Sequence, residues 1–477
     1  DLVCTGTEGN SSITKVANRG TEPSTDVLKG IDELGQNLGF SNGEIYSSID
    51  VIVHGTTVAT NAILTNSGAK TGLITTAGFR DALEMRRGIR ERLYDNRYSP
   101  PDPLVPRFLR HGIGGRISAE GNEIAPLDQT ALCESLSVFR DNGVRSVAVC
   151  FMHSYRNPEH EIVAGEIIRR EWPEVHLSLS HVVLPERKFY ERVSTTVINA
   201  VVGPILEQYL GRLERELIDR GFSGVLRVMK SNGGLMSPDV ASHREAAHTL
   251  LSGPAGAVAG ATGFSKKRDN CDLIVMDMGG TSCDVSLIEK GMPLVTRDGS
   301  MARYRLMLPM LDIHTVGAGG GSIASVDKAR LLEVGPASAG SHPGPACYGR
   351  GGKQATVTDA DVILGYISPS YFLGGRMELD WESALRAIEE TVAKPLGLTA
   401  KESATGIFQL INAKMAAAIR EVSVQRGFDP RRFTLLAAGG AASVHSCAVA
   451  RDVGIRRILI PRNASVFSAV GMLTTDY

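Results

Sequence analysis

Residues 273–288 read LIVMDMGGTSCDVSLI and combine two carboxylates with two adjacent glycines. Four apolar residues lead into Asp277, Gly279 and Gly280 follow, and an apolar run resumes after Asp284. Glycine leaves the backbone bare, so main-chain N–H groups can approach a phosphate closely, and carboxylates suit Mg²⁺ or its bound waters. The pattern predicts a strand–turn–strand phosphate site in which Asp277 and Asp284 hold the metal. An ordinary hairpin whose glycines serve only the turn is the alternative.

Thr281 follows the two glycines and adds a hydroxyl to this turn. Together with Asp277 it is a candidate catalytic residue, and with Gly279, Gly280 and Asp284 it is a candidate for binding the phosphates. The arrangement differs from a P-loop or a dinucleotide fingerprint, because in those motifs the glycines open a helix.

Two further glycine-rich turns follow predicted strands. Residues 312–322 read DIHTVGAGGGS, and such a loop lets backbone amides line a ribose or phosphate site. Residues 439–441 read GGA between a strand and a helix, where an adenosine could lie against the backbone. A crowded turn between packed elements, or a tight strand–helix crossing, is the alternative. The candidate binding residues in these turns are Gly317, Gly319, Gly320, Gly321, Gly439, Gly440 and Ala441.

His54 stands at the end of a predicted strand, directly before a polar Gly-Thr-Thr turn. An imidazole there could orient an attacking water or a substrate carbonyl, so His54 is a candidate catalytic residue. A hydrogen-bonded structural histidine is the alternative.

Other histidines and cysteines give weaker indications. Asp312, His314 and His342 could contribute ligands to a transition metal, but no further ligand lies at a convincing spacing. Cys283 and Cys347 lie in or beside the glycine loops, without an evident base that would make either a nucleophile.

Net charge, cysteine spacing and the length of apolar runs argue against a nucleic-acid-binding, a disulfide-rich and a membrane-spanning protein. The chain has 477 residues, a net charge of −1 and seven cysteines. A near-neutral chain lacks the basic face that nucleic acid or an anionic membrane requires. The cysteines are scattered without a CxxC pair, which indicates free thiols in a reducing cytoplasm. No apolar run approaches the roughly 20 residues that span a bilayer, and both ends look cut, so a fragment is expected.

Strands and helices alternate along the chain, which predicts an α/β fold. Pro204 predicts a kink or a late start in the longest helix, and Asp359 is expected to cap a helix. Residues 86–107 are expected to form an exposed arm, with the arginines of residues 86–92 on a solvated or interface face. The predicted strands are 49–54, 70–75, 146–151, 225–230, 435–438 and 458–460, and the predicted helices are 24–38, 58–64, 132–142, 160–172, 195–220, 404–426 and one from residue 443.

Taken together, these segments resemble one family. The chain contains, in order, HGTTVATNAIL, LITTAGFRDALEMRRG, LYDNRYSPPDPLVPR, SNGGLMS, LSGPAGAVAGA, MDMGGTSCDVSLI, HTVGAGGGSIA, GPACYGRGG with TVTDADVILG, and GFDPRRFTLLAAGGAA. These motifs look like those of the hydantoinase A / 5-oxoprolinase family, and the resemblance runs through essentially all of the chain. It is specific for the family and not for the substrate.

The resemblance implies an α/β fold of the actin-like ATPase (ASKHA) superfamily, with two ribonuclease-H-like lobes and inserted α/β segments around ATP and Mg²⁺. It also implies an N-terminal domain over residues 1–185 and an ATPase domain over residues 190–477. The hairpin at 273–288 is similar to the family's second phosphate loop. The first phosphate loop would lie before Asp1, which matches its closing aspartate and is a third metal candidate. Where the family usually has Gly-Pro after the last glycine turn, this chain has Ala442-Ser443.

The function that the resemblance implies is that of the ATP-using subunit of a cyclic amide hydrolase. Its substrate would be a hydantoin, an N-methylhydantoin, 5-oxoproline or a lactam, activated through a phosphorylated intermediate. A ketone carboxylase of the acetophenone type is the close alternative; a kinase of the same superfamily and a non-catalytic ATP-binding scaffold are the others. Family members commonly pair with a hydantoinase B-type subunit, which implies a hetero-oligomer.

Overall fold

A computed structural model describes residues 1–6, 10–16, 23–41, 43–91, 93–269 and 271–475. These residues form two compact units, each assembled from separate chain segments. The hairpin unit contains the described residues of Asp1–Thr21, Pro254–Leu294 and Leu311–Thr475, and the parallel-sheet unit contains those of Glu22–Gly253 and Val295–Met310. The predicted division into an N-terminal domain of residues 1–185 and an ATPase domain of residues 190–477 stays a prediction.

The hairpin unit is built on a six-stranded sheet. At its centre Leu273–Met278 and Cys283–Glu289 run antiparallel. Thr434–Ala438 pairs parallel with the first of these strands, and Arg457–Leu459 continues the sheet beyond it. Ile313–Val316 pairs antiparallel with Cys283–Glu289 on the other side.

The apolar run of Leu273–Met278 explains its central place in this sheet. Ile274 and Met276 belong to one buried cluster, whereas Leu273 and Val275 belong to another. Successive side chains of a strand point to opposite faces, so both faces of the sheet are covered. A strand buried on both faces needs a continuous apolar run rather than an alternating one.

The other elements of the hairpin unit surround this sheet. Its remaining strands are Leu2–Thr5, Ser11–Thr14, Met292–Pro293, Ser322–Val326 and Leu332–Ser338. Its helices are Ser252–Lys266, Val357–Ile363, Trp381–Ile388, Lys394–Leu396, Ala400–Val422, Ala442–Val453 and Phe467–Met472, with a π-helical turn at Glu389–Ala393 and short 3₁₀ turns at Ala346–Tyr348, Pro369–Tyr371, Leu373–Gly375, Val424–Arg426, Pro430–Arg432 and Ala464–Val466.

The parallel-sheet unit has a sheet of four parallel strands, in the order Arg110–Ile113, Thr71–Thr76, Ser146–Cys150 and His176–Leu179. A second sheet contains Val51–His54, Val225–Met229 and Leu235–Met236. Short strands occur at Arg116–Ile117, Glu123–Ala125, Val295–Thr296, Gly299–Met301, Tyr304–Leu306 and Met310–Leu311. The helices are Pro23–Leu38, Glu44–Ser48, Val58–Leu64, Ala82–Met85, Gln129–Asp141, Glu159–Glu171, Ser180–Val183, Phe189–Asp219 and Pro238–His243, with 3₁₀ turns at Arg86–Gly88, Arg107–Leu109 and Ala246–Thr249.

These elements confirm the predicted α/β class. The actin-like arrangement of two ribonuclease-H-like lobes stays a prediction. No helix among the described residues is both long enough and apolar enough to cross a lipid bilayer.

Three expectations about local structure are wrong. Helix Phe189–Asp219 begins earlier than predicted and contains Pro204 within it, so that residue does not mark a late start. Its first turns are buried on all sides, polar residues included, so a one-sided apolar stripe could not locate its beginning. Residues 313–316 form a strand rather than part of a loop. Of the arginines at residues 86–92, Arg86 is only 4% exposed and pairs with Glu91, so it does not belong to a solvated face, whereas Arg87 and Arg90 are exposed as expected and Arg92 lies outside the described residues.

Candidate functional site

The turn after Leu273–Met278 is the strand–turn–strand arrangement that the sequence predicted. Asp277 and Asp284 are direct partners across the antiparallel pair. The N–H of Gly279 donates to the carbonyl oxygen of Ser282 at 3.0 Å and closes the turn.

Two N–H groups of this turn point away from the glycine run at 317–321. The carbonyl oxygens of Gly279 and Gly280 accept hydrogen bonds from the N–H groups of Gly320 and Gly321, at 3.0 and 2.6 Å. In a trans peptide the N–H points opposite to the C=O, so the N–H groups of Gly280 and Thr281 point away from residues 320–321. Within the described parts of the chain, no acceptor is recorded for either N–H. They are therefore available to an anion.

The space in front of these donors is open. A Cβ atom built on Gly279 or Gly280 meets nothing within 4 Å, and Gly280 and Thr281 are exposed. Backbone N–H groups in such a turn make an anion-binding concavity. The turn can therefore accept a phosphate.

The glycine run at 317–321 supports the hairpin turn from behind. A Cβ on Gly319 would lie 2.5 Å from the main chain of Gly280 and Thr281, so only glycine fits there. The N–H of Gly319 donates to the Ser322 hydroxyl at 2.9 Å, and those of Gly320 and Gly321 reach the hairpin carbonyls. These amides already have partners, so direct binding of a nucleotide by residues 317–321 stays a prediction.

The turn at 439–441 contacts the same hairpin. Gly439 has a φ of +86°, and a Cβ on it would lie 2.5 Å from a carboxylate oxygen of Asp277. The N–H of Ala441 donates to the Met278 carbonyl oxygen at 3.0 Å. Gly440 is exposed, and a Cβ atom added to it would meet nothing within 4 Å. The structure thus brings this turn beside Asp277; the placement of an adenosine there stays a prediction.

Asp277 is held by a serine that the sequence did not single out. The Ser468 hydroxyl donates to its Oδ2 at 2.7 Å. Ser468 lies on helix Phe467–Met472, whose Gly471 packs so closely that an added Cβ would lie 1.9 Å from the Gly256 carbonyl oxygen. Burial raises the pKa of Asp277, and the Ser468 bond and the charge of Lys15 lower it.

Asp284 also has a carboxylate with a raised pKa. Its Oδ1 accepts a hydrogen bond of 2.5 Å from the Thr315 hydroxyl. Burial raises the pKa of Asp284 to about 6; the Thr315 bond opposes this shift and the negative charge of Asp277 adds to it. Two neighbouring half-buried carboxylates suit a Mg²⁺ ion, whose charge would offset theirs.

Lys15 is a cation whose charge acts on Asp277. Its Nζ donates to Asp1 Oδ1 at 2.9 Å and to the Ser465 carbonyl oxygen at 2.8 Å. Asp277 raises the pKa of Lys15 against the stronger, lowering effect of burial. Lys15 thus forms an ion pair with Asp1 and interacts through its charge with Asp277.

Sequence reasoning missed Lys15, Ser468 and Thr315. Thr315 could have been found, because in an antiparallel pair it would lie opposite Asp284 once residues 313–316 are read as a strand. Nothing in the spacing of Lys15 or Ser468 relates them to Asp277, from which they are far away along the chain.

His54 lies in the parallel-sheet unit, at the end of Val51–His54. Its Nε2 is 2.8 Å from the hydroxyl of Tyr209, a partner that the sequence did not indicate. Burial lowers the pKa of His54 to about 4, so the ring is neutral near pH 7. The bond to Tyr209 agrees with the structural alternative, and a catalytic role stays a prediction.

The transition-metal candidates have other partners. Asp312 pairs with Arg426, and His314 Nε2 lies 3.3 Å from a carboxylate oxygen of Glu421. Among the residues that the structure describes, no group of three or more His, Cys, Asp or Glu side chains could hold a metal. His342 therefore joins no such group, and Asp1, Asp277 and Asp284 do not form a three-carboxylate cluster. Mg²⁺ keeps several waters in protein sites, so Asp277 and Asp284 alone fit it.

Two further expectations can be resolved. The N-cap of helix Val357–Ile363 is Thr356, and Asp359 lies inside the helix, where its carboxylate accepts from the Thr356 N–H in a capping box; Asp359 thus takes part in capping, but it does not precede the helix as predicted. Cys283 and Cys347 are buried, which raises the pKa of both thiols, so neither has the thiolate character of a nucleophile.

Comparison with known proteins gives matches over most of the chain. The family model described as hydantoinase/oxoprolinase matches residues 192–477, and that of the hydantoinase/oxoprolinase N-terminal region matches residues 1–172. The caprolactamase subunit alpha of Pseudomonas jessenii is 39% identical over 100% of this chain and 68% of its own length. The acetophenone carboxylase gamma subunit of Aromatoleum aromaticum is 35% identical over 98% of this chain and 65% of its own length.

A solved structure agrees with these sequence matches. The crystal structure of the ATP-dependent caprolactamase from Pseudomonas jessenii superimposes with a TM-score of 0.87 at 39% identity, over 99% of this chain and 69% of that one. The chain thus spans about two thirds of the length of these relatives.

Proposed function

Because the chain belongs to the hydantoinase/oxoprolinase family, as its motifs indicated, we propose that it is the ATP-using part of a cyclic amide hydrolase. The expectation of an enzyme is confirmed by the relatives, which are enzymes. The substrate would be a hydantoin, an N-methylhydantoin, 5-oxoproline or a lactam. The observation that carries the proposal is the pair of outward N–H groups at Gly280 and Thr281, next to two facing carboxylates.

ATP and Mg²⁺ fit the residues of the hairpin unit. The N–H groups of Gly280 and Thr281 would bind phosphate oxygens, and Asp277 and Asp284 would hold the ion or its waters. Lys15 would add positive charge near Asp277. The ion, when bound, supplies charge that stabilises the transferred phosphoryl group.

Phosphoryl transfer overcomes the resonance stabilisation of an amide. The amide oxygen attacks the γ-phosphorus, the bond to the bridging oxygen breaks, and ADP leaves. Water adds to the activated carbon, the ring nitrogen leaves with a proton, and a second water releases phosphate from the acyl phosphate. His54, neutral at physiological pH, is proposed to orient a water or a carbonyl in this sequence.

A ketone carboxylase is the second candidate, because the acetophenone carboxylase gamma subunit is 35% identical to the chain. In that case an oxygen of bicarbonate rather than of an amide would take the phosphoryl group. Both relatives are named as subunits, and we propose that this chain also works with a companion of the hydantoinase B type, in a hetero-oligomer.

The test is phosphate release by the full-length protein with its companion, assayed on hydantoins, lactams, 5-oxoproline and ketones with and without bicarbonate. We expect release stimulated by a cyclic amide, with an opened product. Bicarbonate-dependent release with a carboxylated product would favour the carboxylase. A stable phosphorylated product would indicate a kinase, and nucleotide binding without stimulated release would indicate a scaffold; either result would contradict the proposal.

A further inference from the structure

A buried histidine and a buried aspartate contact each other near the candidate nucleotide site. His445 is 0% exposed and Asp361 is 1% exposed. His445 Nε2 lies 3.3 Å from Asp361 Oδ2. The face of the imidazole stacks on Phe408, with ring centroids 5.0 Å apart. Neither residue belongs to the hairpin, its metal candidates or the glycine turns.

The two residues lie on the helices that carry the two supporting turns. Asp361 is on Val357–Ile363, where the N–H and hydroxyl of Thr358 donate to the Gly320 carbonyl oxygen at 2.7 and 2.8 Å. His445 is on Ala442–Val453, which begins directly after the turn at 439–441. A Cβ on Gly320 would lie 3.8 Å from that of Ala441, so the two turns are neighbours. The contact between His445 and Asp361 therefore joins the two helices from which the turns are held.

The surroundings of the imidazole require one more proton than a neutral ring carries. His445 Nδ1 faces Asn412 Oδ1 at 2.9 Å, and an amide oxygen only accepts, so Nδ1 carries hydrogen. A neutral ring would then present the lone pair of Nε2 to a carboxylate oxygen, and two acceptors repel. A proton on Nε2 turns this repulsion into the attraction of an ion pair with Asp361.

No other described group offsets the negative charge of Asp361 if this proton is lost. Asp361 Oδ1 and His445 Nε2 are both buried, and neither has a hydrogen-bond partner in the described structure. Burial raises the pKa of Asp361, and the charge of Asp359 raises it further, whereas His445 lowers it. The Asp359 carboxylate is itself bound by the N–H groups of Ala346 and Cys347. Losing the shared proton would leave a buried, uncompensated charge, which is costly.

We propose that Asp361 and His445 share one proton and thereby hold the turns at 317–321 and 439–441 at the spacing that nucleotide binding needs. They are positioning residues, since neither belongs to the hairpin turn that would contact phosphate. The inference rests on the proposed function, because it assumes that the site binds ATP. Its consequence is that nucleotide affinity falls at alkaline pH, when the proton leaves.

The test measures the affinity of a nonhydrolysable ATP analogue with Mg²⁺ from pH 7 to 9.5, on the full-length protein with its companion. The wild type should lose about tenfold in affinity, since one proton is linked to binding. Asp361→Asn should bind within about threefold of the wild type at pH 7 and stay flat, because its side-chain N–H can donate to Nε2 without an added proton. In His445→Gln the side-chain amide can likewise donate an N–H to Asp361 without an added proton. In both variants the turnover number at saturating nucleotide should change little.

Asp32→Asn serves as the control, since Asp32 bonds Tyr46 and Arg220 in the parallel-sheet unit; it should keep the wild-type profile. A wild-type affinity that is flat to pH 9.5, or an unchanged alkaline loss in Asp361→Asn or His445→Gln, would overturn the inference and leave the proposed function intact. Absence of analogue binding by the wild type at pH 7 would instead overturn both.

Discussion

The N–H of Gly321 donates to the carbonyl oxygen of Gly280 at 2.6 Å, and this bond fixes the direction of the peptide between Gly280 and Thr281. The peptide is planar, so fastening its oxygen on one side turns the N–H of Thr281 to the other. The neighbouring bond from Gly320 to Gly279 acts on the preceding peptide in the same way. The donors are therefore in place before a ligand arrives, which lowers the cost of ordering the site.

Substituting glycines on the two sides of the hairpin turn should separate binding from folding. Gly280→Ala places its methyl in open space and should change the free energy of unfolding by less than about 0.5 kcal/mol, while the bulkier Gly280→Val should weaken ATP binding about tenfold or more by occupying the phosphate space. Gly319→Ala forces a Cβ against backbone at 2.5 Å and should destabilise the protein by about 1–3 kcal/mol. Urea titrations and nucleotide titrations measure the two quantities. Unchanged ATP affinity in Gly280→Val would remove the phosphate assignment.

Removing the Asp277 carboxylate should mainly lower turnover. Asp277→Ala should reduce the turnover number by about 100-fold or more, because a charge contact matters most where charge develops in the transition state. Ser468→Ala, which removes only the hydroxyl that orients Asp277, should lose about 3- to 10-fold, in the range of one hydrogen bond. Steady-state kinetics with saturating Mg²⁺ gives both numbers. Full ATPase activity of Asp277→Ala in the complete complex would show that the metal assignment is wrong.

Neutralising Asp284 should stabilise the metal-free protein above pH 6. The pKa of Asp284 is raised from 3.8 to about 6, so the folded state favours its protonated form, and ionisation at higher pH lowers the free energy of unfolding. Asp284→Asn should therefore be more stable than the wild type at pH 7.5 by about 1–3 kcal/mol, and the difference should shrink as the pH falls from 6 towards 4.

Urea titrations at pH 4.5, 6 and 7.5, with and without Mg²⁺, check this expectation. Added Mg²⁺ should stabilise the wild type and not Asp284→Asn, because the ion supplies the missing positive charge. Equal stability of the two proteins at every pH would mean that the pKa of the Asp284 carboxylate is not raised.

Replacing Lys15 should weaken the site through charge. Lys15→Met keeps much of the chain length but loses the ammonium group, and we expect a loss of about 10- to 100-fold in turnover over the Michaelis constant for ATP, the range of a charged hydrogen bond. Lys15→Arg keeps the charge and should recover part of that loss. If both variants equal the wild type, Lys15 only binds Asp1 and the Ser465 carbonyl.

The hairpin turn could be predicted from the sequence because its signal is local. An apolar run, Asp277, two glycines and a second apolar run specify two paired strands and their turn without any knowledge of the rest of the chain. The register that places Asp284 opposite Asp277 follows from the length of the turn. A capping role for Asp359 could be predicted for the same reason, since capping is a short-range interaction, but the N-cap itself is Thr356.

The remaining parts of the site depend on contacts between distant segments. The direction of the Gly280–Thr281 peptide depends on residues 320–321, and the environment of Asp277 depends on Lys15 and Ser468. Helix Phe189–Asp219 illustrates the same limit, because its first turns are buried by several elements at once and carry no one-sided pattern. Contacts between side chains that are far apart along the chain produce no sequence spacing from which they could be predicted.

The contact of Gly471 with the carbonyl of Gly256 leaves no room for any side chain at position 471. A larger residue at this contact would displace the short helix that carries Ser468. Laboratory evolution toward new substrates should therefore keep residues 256 and 471 constant and vary other positions. Variants at these two positions would misfold, so their activity could not be selected.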